Sequence, residues 1–366
     1  NRALVGAFNK RIDNKRTGAA YIFHWDGRAW REEARIRPSR ILDLNHAGYG
    51  FGRTVSLSGD RAIISAVGDD AGGLEAGAAY IFERDEHGQW VETAFLQASD
   101  IEAWDGFGWS VAISGHRAVV GAREEDSVDW NAGAAYVFER DSHGIWNEVA
   151  KLRASDQQVH DQFGAAVAID GDDIIVGVEQ GDLVGRTDGA AYIFTRATDG
   201  SWLEAAVLHS VDPEDHARFG GAVSIRDGRA AVAAWSEDLG GRDAGAVYIY
   251  VRRLTGGWDV ERKITARAPQ SDARFGYAVD LSRDALIAGS FTALPEQPSL
   301  GRARIFECGF PAPIFSETVI PGDCPGDYTL ERTWTATDPC GHSTSATQMV
   351  RVVDSFDRCC GLLELI

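Results

Sequence analysis

The chain has 366 residues, of which 44% are hydrophobic and 25% charged, with 41 Gly and 10 Pro, a composition that excludes a disordered or collagen-like chain. Its 36 Lys and Arg stand against 55 Asp and Glu, and the formal charge of -19 repels nucleic-acid phosphate and anionic lipid, so we predict no nucleic-acid partner. No run reaches the ~20 apolar residues of a membrane-spanning helix, so no membrane span is predicted.

A repeat of 56 residues governs the chain up to residue 306. Its markers are a Phe-Gly pair, then a Gly-Ala-Ala-Tyr segment or a variant of it, then a Trp. The pairs begin at Phe51, Phe107, Phe163, Phe219 and Phe275; the segments begin at Gly77, Gly133, Gly189, Gly245 and Gly301; the third marker is Trp90, Trp146, Trp202 and Trp258. A partial copy with Gly18 and Trp30 precedes them, which makes six visible copies, the first and last incomplete.

Each copy contains four short apolar runs, which in the copy that begins at Phe163 lie at 163–169, 174–178, 190–194 and 202–208. Turn residues such as Gly171 and Gly200 separate the runs. Short apolar runs between turns predict strands. One four-stranded sheet cannot bury both faces alone, whereas stacked sheets can. The repeat therefore predicts an all-β fold, with a six- or seven-bladed β-propeller over residues 1–306.

These motifs carry a resemblance to a known family. The Phe-Gly start, the Gly-Ala-Ala-Tyr strand and the second strand that ends in Gly121-Ala122 or Gly177-Val178 resemble the FG-GAP repeats of integrin α-chain propellers and of secreted bacterial proteins. The resemblance implies a propeller in an adhesion or recognition protein that is secreted or lies at the cell surface. Integrin propellers often hold calcium in Asp-x-Asp-x-Asp-Gly loops, but the corresponding loops here are short, as in Ser58-Gly59-Asp60, so those ligands are not carried over.

The last segment, residues 307–366, differs from the repeats because it holds all five cysteines: Cys308, Cys324, Cys340, Cys359 and Cys360. Its alternating apolar and polar residues predict a small β-sandwich-like module, and it looks like the later half of an HYR-type immunoglobulin-like repeat. Cysteines confined to a small module fit an exported protein. We predict at least one disulfide, involving Cys324 and Cys340, and one odd thiol. Residues 314–320 are predicted to supply the missing outer strand of the propeller.

The long loops on one face of the predicted propeller collect acidic and aromatic residues. Carboxylates that converge from several blades could bind Ca²⁺, which prefers oxygen ligands, although solvated surface acids explain them as well. The candidate metal ligands are Asp100, Asp105, Asp156, Asp161, Asp212 and Asp215. The candidate ligand-binding residues are Trp104, Trp130, His160, His216 and Trp235. Trp104 and Trp130 stand out because no Trp recurs 56 residues from either, so packing between blades does not require them.

Two classes of function follow. The sequence contains no common hydrolase, zinc or nucleotide motif, so we predict a non-catalytic extracellular module whose partner is a glycan or a surface protein, with calcium as a candidate cofactor. The alternative is a polysaccharide lyase or glycoside hydrolase with a site at the channel mouth, built from His160, Tyr49 and Arg53. A deep pocket of perturbed groups would favour the enzyme, and a shallow acidic and aromatic surface would favour binding.

Overall fold

The structure is a computed structural model that describes residues 1–12, 15–40, 50–179, 188–253, 255–267, 269–291, 301–307, 314–321, 328–337 and 343–352. The chain forms two compact units. Unit 1 comprises Asn1–Ser282 and Leu286–Ile305, and unit 2 comprises Arg283–Ala285 and Phe306–Ile366. Every regular element in the described ranges is a strand. These ranges contain no helix that is long and apolar enough to cross a membrane.

The strands are short and evenly spaced. In chain order they are β1 (Arg2–Gly6), β2 (Arg11–Ile12), β3 (Lys15–Arg16), β4 (Ala20–Trp25), β5 (Trp30–Ile36), β6 (Phe51–Ser58), β7 (Arg61–Ala66), β8 (Ala78–Arg84), β9 (Trp90–Leu96), β10 (Phe107–Ser114), β11 (Arg117–Ala122), β12 (Ala134–Arg140), β13 (Trp146–Leu152), β14 (Ala166–Asp170), β15 (Asp173–Val178), β16 (Ala190–Arg196), β17 (Trp202–Leu208), β18 (Phe219–Arg226), β19 (Arg229–Ala234), β20 (Ala246–Arg252), β21 (Trp258–Thr265), β22 (Ala278–Leu281), β23 (Ala285–Ser290), β24 (Arg302–Glu307), β25 (Ile314–Pro321), β26 (Tyr328–Thr337) and β27 (Ser343–Val352).

Consecutive strands pair antiparallel into a series of sheets. Sheet 1 is β1-β4-β5, sheet 2 is β6 to β9, sheet 3 is β10 to β13, sheet 4 is β14 to β17, sheet 5 is β18 to β21 and sheet 6 is β22-β23-β24. The first strands of neighbouring sheets lie against each other, so they form the inner side of the series. The predicted all-β propeller of six or seven blades is confirmed.

The Phe-Gly pair and the Gly-Ala-Ala-Tyr segment meet at each junction between full sheets. Gly77 forms a parallel bridge with Phe107, and the same bridge recurs 56 residues later between Gly133 and Phe163. A Cβ on Gly77 would lie 2.0 Å from the Phe107 carbonyl oxygen, and Gly77 has a φ of +89°, so only glycine allows this approach. The two glycine markers of the repeat are therefore explained by backbone contact between blades.

The core lies between neighbouring sheets. One buried cluster combines Ile63 and Ile81 of sheet 2 with Phe107, Val120 and Tyr136 of sheet 3. The repeated tyrosines, at positions 80, 136, 192 and 248, are all at most 1% exposed and pack between blades. Each interface buries aromatic and β-branched side chains, so sheet stacking supplies the main stabilisation of unit 1.

Unit 2 contains a three-stranded antiparallel meander of β25, β26 and β27. Ile314 lies opposite Thr335, and Pro321 lies opposite Tyr328. The segment 314–320 was predicted to be the outer strand of a propeller blade. It is a strand, but the prediction of its partner is wrong: among the described strands, β25 belongs to the sheet of β26 and β27, and eight residue pairs join it to β26. All five cysteines lie outside the described residues, so the disulfide stays a prediction, as does the HYR-like module.

Candidate functional site

Two kinds of loop lie side by side at one end of unit 1. The loops from second to third strand (67–77, 123–133, 235–245) contact the loops that lead into the next first strand (97–106, 153–162, 209–218), and we call this surface the loop face. The Trp104 N–H donates to the Leu74 carbonyl over 2.9 Å, and the His160 N–H donates to the Trp130 carbonyl over 2.9 Å. The loops are thus tied to each other by backbone hydrogen bonds.

One position of the loop face has a left-handed backbone conformation in three copies of the repeat. Trp104, His160 and His216, which occupy equivalent positions 56 residues apart, have φ values of 74°, 64° and 64°. A left-handed conformation costs a residue other than glycine about 1–2 kcal/mol, so the loop-to-loop hydrogen bonds must hold it. The sequence places His160 and His216 at equivalent positions, but Trp104 was not assigned to the same position, because the residue type changes from Trp to His while the backbone conformation stays the same.

Trp130 and His160, both predicted ligand residues, contact each other. Their ring centroids are 5.7 Å apart, and Trp130 is 68% exposed. Trp104 is 52% exposed on the neighbouring loop. These indoles are presented to solvent from loops of fixed conformation. Trp235 differs, because it is only 9% exposed and lies on the inner side.

The candidate metal ligands have protein partners in several copies. The Tyr136 hydroxyl donates to Asp100 Oδ1 over 2.8 Å, and the Tyr192 hydroxyl donates to Asp156 Oδ1 over the same distance. Asp212 accepts a hydrogen bond from a Lys263 Nζ at 2.8 Å. These three aspartates occupy equivalent positions and connect the loop face to the packing between sheets.

Two further candidate aspartates cap backbone groups. Asp105 is 3% exposed and accepts a 2.7 Å hydrogen bond from the Glu102 N–H, and Asp161 is 4% exposed and accepts one of 2.7 Å from the Gln158 N–H. Burial raises the pKa of Asp105 from 3.8 to about 6, and the neighbouring carboxylates add to this. Asp215 is exposed. Within the described residues, no three His, Cys, Asp or Glu side chains are grouped to hold a metal ion, so calcium binding stays a prediction.

A buried ion pair that the sequence did not reveal supports two of the loops. Lys151 Nζ lies 2.7 Å from Glu125 Oε1 and 2.6 Å from Asp100 Oδ2. In sheet 5, Lys263 Nζ lies 2.6 Å from Glu237 Oε1. Burial is the largest single influence on Glu125 and opposes its ionisation, but the hydrogen bonds from Lys151 and Ser127 and the Lys151 charge together lower the pKa of the carboxyl.

The Glu-Lys pair is present in two of the sheets. Sheets 3 and 5 have Glu in the second-to-third-strand loop and Lys on the fourth strand. Sheet 2 has Asp69 and Phe95 at the same two positions. Only four lysines occur in the whole sequence, and two of them fill this role. That scarcity, together with the 112-residue spacing of Lys151 and Lys263, was the available signal.

A cavity of about 380 Å³ opens at the inner edge of the loop face. It is lined by Glu179, His216, Arg218, Trp235, Ser236, Asp243 and Arg274. Arg218 and Arg274 lie over the Trp235 indole, with their guanidinium carbons 4.7 and 5.3 Å from a ring centroid. A Cβ on Gly221 would lie 2.3 Å from Trp235 Nε1, so this glycine makes room for the indole. The cavity contains two of the predicted ligand residues, His216 and Trp235.

A second stack of cations and indole lies on the inner side of sheets 2 and 3. The guanidinium carbons of Arg53 and Arg123 lie 3.9 and 3.2 Å from a ring centroid of Trp109. Partial burial and the Arg123 charge lower the pKa of Arg53. No contact between Arg53 and His160 is found within the described residues, and Tyr49 lies outside them, so the enzymatic alternative gains no geometric support.

Repeated four-stranded sheets joined through Phe-Gly bridges define a β-propeller. Residues 30–82, 90–138, 146–194 and 202–250 match the FG-GAP repeat, and together they make up more than half of the chain. The chain belongs to the FG-GAP repeat family, as the sequence resemblance predicted. A propeller of this family is consistent with a binding or adhesion module.

Comparison with curated proteins finds no match. Among solved structures, Sqt1 from Chaetomium thermophilum is similar over 94% of this chain and 80% of its own, with 14% identity and a TM-score of 0.41. A subtype N11 neuraminidase-like protein of A/flat-faced bat/Peru/033/2010 (H18N11) is similar over 82% of this chain and 86% of its own, with 12% identity and a TM-score of 0.32.

Proposed function

We propose that the protein is a non-catalytic recognition module that binds a glycan or a surface protein through the loop face. The observation that carries the proposal is Trp130, whose side chain is 68% exposed while its carbonyl accepts the His160 N–H and its ring lies against the His160 imidazole. An exposed aromatic on a fixed backbone binds a partner with little loss of conformational entropy. Trp104 extends the same surface.

The proposal also includes a secreted or cell-surface location and Ca²⁺ as an assisting ion. FG-GAP repeats are typical of extracellular proteins, which supports a secreted or cell-surface location. Ca²⁺ is proposed as an assisting ion. The Asp100 carboxylate already accepts hydrogen bonds from a tyrosine and a lysine, whereas Asp215 is exposed. Of these two candidate ligands, Asp215 is therefore the more available for a metal ion.

The test is a glycan and protein array probed with purified protein, with and without calcium. Trp130→Ala should weaken capture while the melting temperature stays nearly unchanged. The matched control is Trp30→Ala, because Trp30 is 53% exposed on a hairpin at the opposite end of the strands. Equal loss of capture in both variants would contradict the proposal. New reducing or unsaturated ends in an array polysaccharide, abolished by His160→Ala, would replace it with the enzymatic alternative.

A further inference from the structure

The interfaces between neighbouring sheets of unit 1 are built from the same two faces. Between sheets 2 and 3, the earlier sheet contributes Ile63 and Ile81, and the later sheet contributes Val120 and Tyr136. Residues at equivalent positions form the clusters of the neighbouring interfaces. We call the face of a sheet that packs on the next sheet its leading face, and the face that packs on the previous sheet its trailing face.

The leading face of sheet 6 is exposed. Ile305 is 70% exposed and Ile287 is 41% exposed. The residues at the same two positions in sheets 2 to 5 are all at most 2% exposed: Ile63, Ile81, Val119, Val137, Ile175, Ile193, Ala231 and Ile249. On the trailing face of sheet 6, Leu286 and Ala288 are fully buried. The exposure therefore belongs to one face of this sheet and is not a sign of poor packing on both.

Sheet 1 is exposed on the opposite face. Val5 lies across from Tyr21, in the register that joins Val120 to Tyr136 in sheet 3. Val5 is 48% exposed, and Tyr21 is partly exposed. The equivalents of Val5 in sheets 2 to 5 are all fully buried: Ile64, Val120, Val176 and Val232. Ile22, on the leading face of sheet 1, is fully buried against sheet 2, so here the trailing face alone is open.

The two exposed faces are the two halves of one interface. Sheet 6 presents Ile287 and Ile305 at the positions of Ile63 and Ile81, and sheet 1 presents a valine and a tyrosine at the positions that complete the cluster between sheets 2 and 3. Because both faces are exposed in the same chain, they do not cover each other there. Soluble proteins rarely leave apolar patches uncovered. A second copy of the chain offers each face the half that it lacks.

We propose that the leading face of sheet 6 in one copy binds the trailing face of sheet 1 in a second copy, so that the chain self-associates head to tail. Such a heterologous contact leaves one free face at each end of a dimer, which can bind further copies or close into a ring. The formal charge of -19 opposes association of the copies, and salt screens this repulsion. The residues of both faces lie on strands and not in the loops of the loop face, so the inference does not depend on the proposed function.

Two variants of the whole protein, each with one face blocked, test the contact. Ile305→Arg blocks the leading face of sheet 6, and Val5→Arg blocks the trailing face of sheet 1. Both side chains are exposed, and an added arginine makes the net charge less negative, so lost association cannot come from lost core packing or from added repulsion. The matched control is Leu203→Arg, because Leu203 is 57% exposed on β17 of sheet 4. Unfolding midpoints verify that the variants are folded, and Ile287→Arg and Tyr21→Arg are second variants of the two faces.

Sedimentation velocity measures the mass of each species in about 0.5 M NaCl, from about 1 μM to about 500 μM protein. The native protein and Leu203→Arg should form dimers and larger species as the concentration rises. Ile305→Arg and Val5→Arg should each remain monomeric when alone. An equimolar mixture of these two variants should form a dimer and nothing larger, because exactly one intact pair of faces remains between them.

The mixture distinguishes head-to-tail association from its alternatives. A native protein that is monomeric at every concentration would overturn the inference. A blocked variant that still dimerises alone would show that like faces pair or that another surface is used, and a mixture without dimers would show that the two faces do not bind each other; either result also overturns it. Monomeric variants whose mixture dimerises, together with a Leu203→Arg protein that associates like the native one, would establish the contact.

Discussion

Replacing Lys151 with Met tests whether the buried ion pair stabilises the propeller. The substitution keeps an unbranched apolar side chain beside Tyr136 but removes the cation nearest to Glu125 Oε1, 2.7 Å away, and leaves Arg153 at 3.5 Å. The Glu125 side chain is 3% exposed, and its Oε2 has no hydrogen-bond partner among the described residues. Breaking a buried pair by removing one partner costs about 3–5 kcal/mol. For a unit of about 300 residues, that loss lowers Tm by roughly 5–8 °C.

The pH dependence makes this prediction specific to charge. In the native protein the pKa of Glu125 is below its ordinary 4.5 because of Lys151. Without Lys151, burial is opposed only by the Ser127 hydrogen bonds and the Arg153 charge, so the pKa of Glu125 rises and the ionised form is less stable at neutral pH. The stability loss should therefore be largest above about pH 6 and should shrink toward pH 4, where Glu125 takes up a proton.

Chemical unfolding of the native protein and three variants gives the measurement. Glu125→Gln combined with Lys151→Met should recover most of the lost stability, because no buried charge then remains. Lys263→Met should reproduce the loss in sheet 5, where Lys263 Nζ lies 2.6 Å from Glu237. A Lys151→Met protein as stable as the native one, or equally destabilised at pH 4 and pH 8, would refute the reasoning.

Three other predictions concern the scaffold and unit 2. Asp105→Asn should raise the free energy of unfolding by up to about 3 kcal/mol at pH 8 and leave it unchanged near pH 4. The reason is that a carboxyl with a pKa of about 6 in the fold and 3.8 when unfolded opposes folding once it is ionised. Urea titrations across pH measure this effect, and a difference that is the same at every pH would contradict the prediction. Gly77→Ala should destabilise the protein by more than about 3 kcal/mol, since its Cβ would lie 2.0 Å from the Phe107 carbonyl oxygen; a thermal melt at the native Tm would contradict this. Thiol titration of protein purified without reductant should find fewer than five free thiols if Cys324 and Cys340 form a disulfide, and five would exclude it.

The fold could be predicted from the sequence because its period is strict. The Phe-Gly pairs, glycine-initiated strands and Trp markers keep a 56-residue step, and the predicted run at 202–208 coincides with β17 (Trp202–Leu208). The pairing of β25 was predicted wrongly, because a strand that belongs to no repeat carries no register information about its partner.

The loop face could be predicted only in part. Trp130 stood out because no Trp recurs 56 residues from it, but the backbone hydrogen bond from His160 depends on φ values that residue type does not reveal. Trp235 was selected because it lies in a long loop of the same face, yet it lies under two arginines, because Gly221 leaves space for its indole. Hydrogen bonds between Tyr136 and Asp100 join positions 36 residues apart, and no local pattern encodes such a contact.

The parallel bridges between sheets also bear on how the chain folds. Gly77 and Phe107 are 30 residues apart, and the next bridge, between Gly133 and Phe163, closes a segment of the same length. Closing such short segments costs little chain entropy, so each junction can form as soon as its two sheets exist. Nucleation at any junction can then propagate to its neighbours, as in linear repeat proteins. During synthesis the N-terminal junctions become complete first, and each new copy of the repeat docks onto a surface that is already folded.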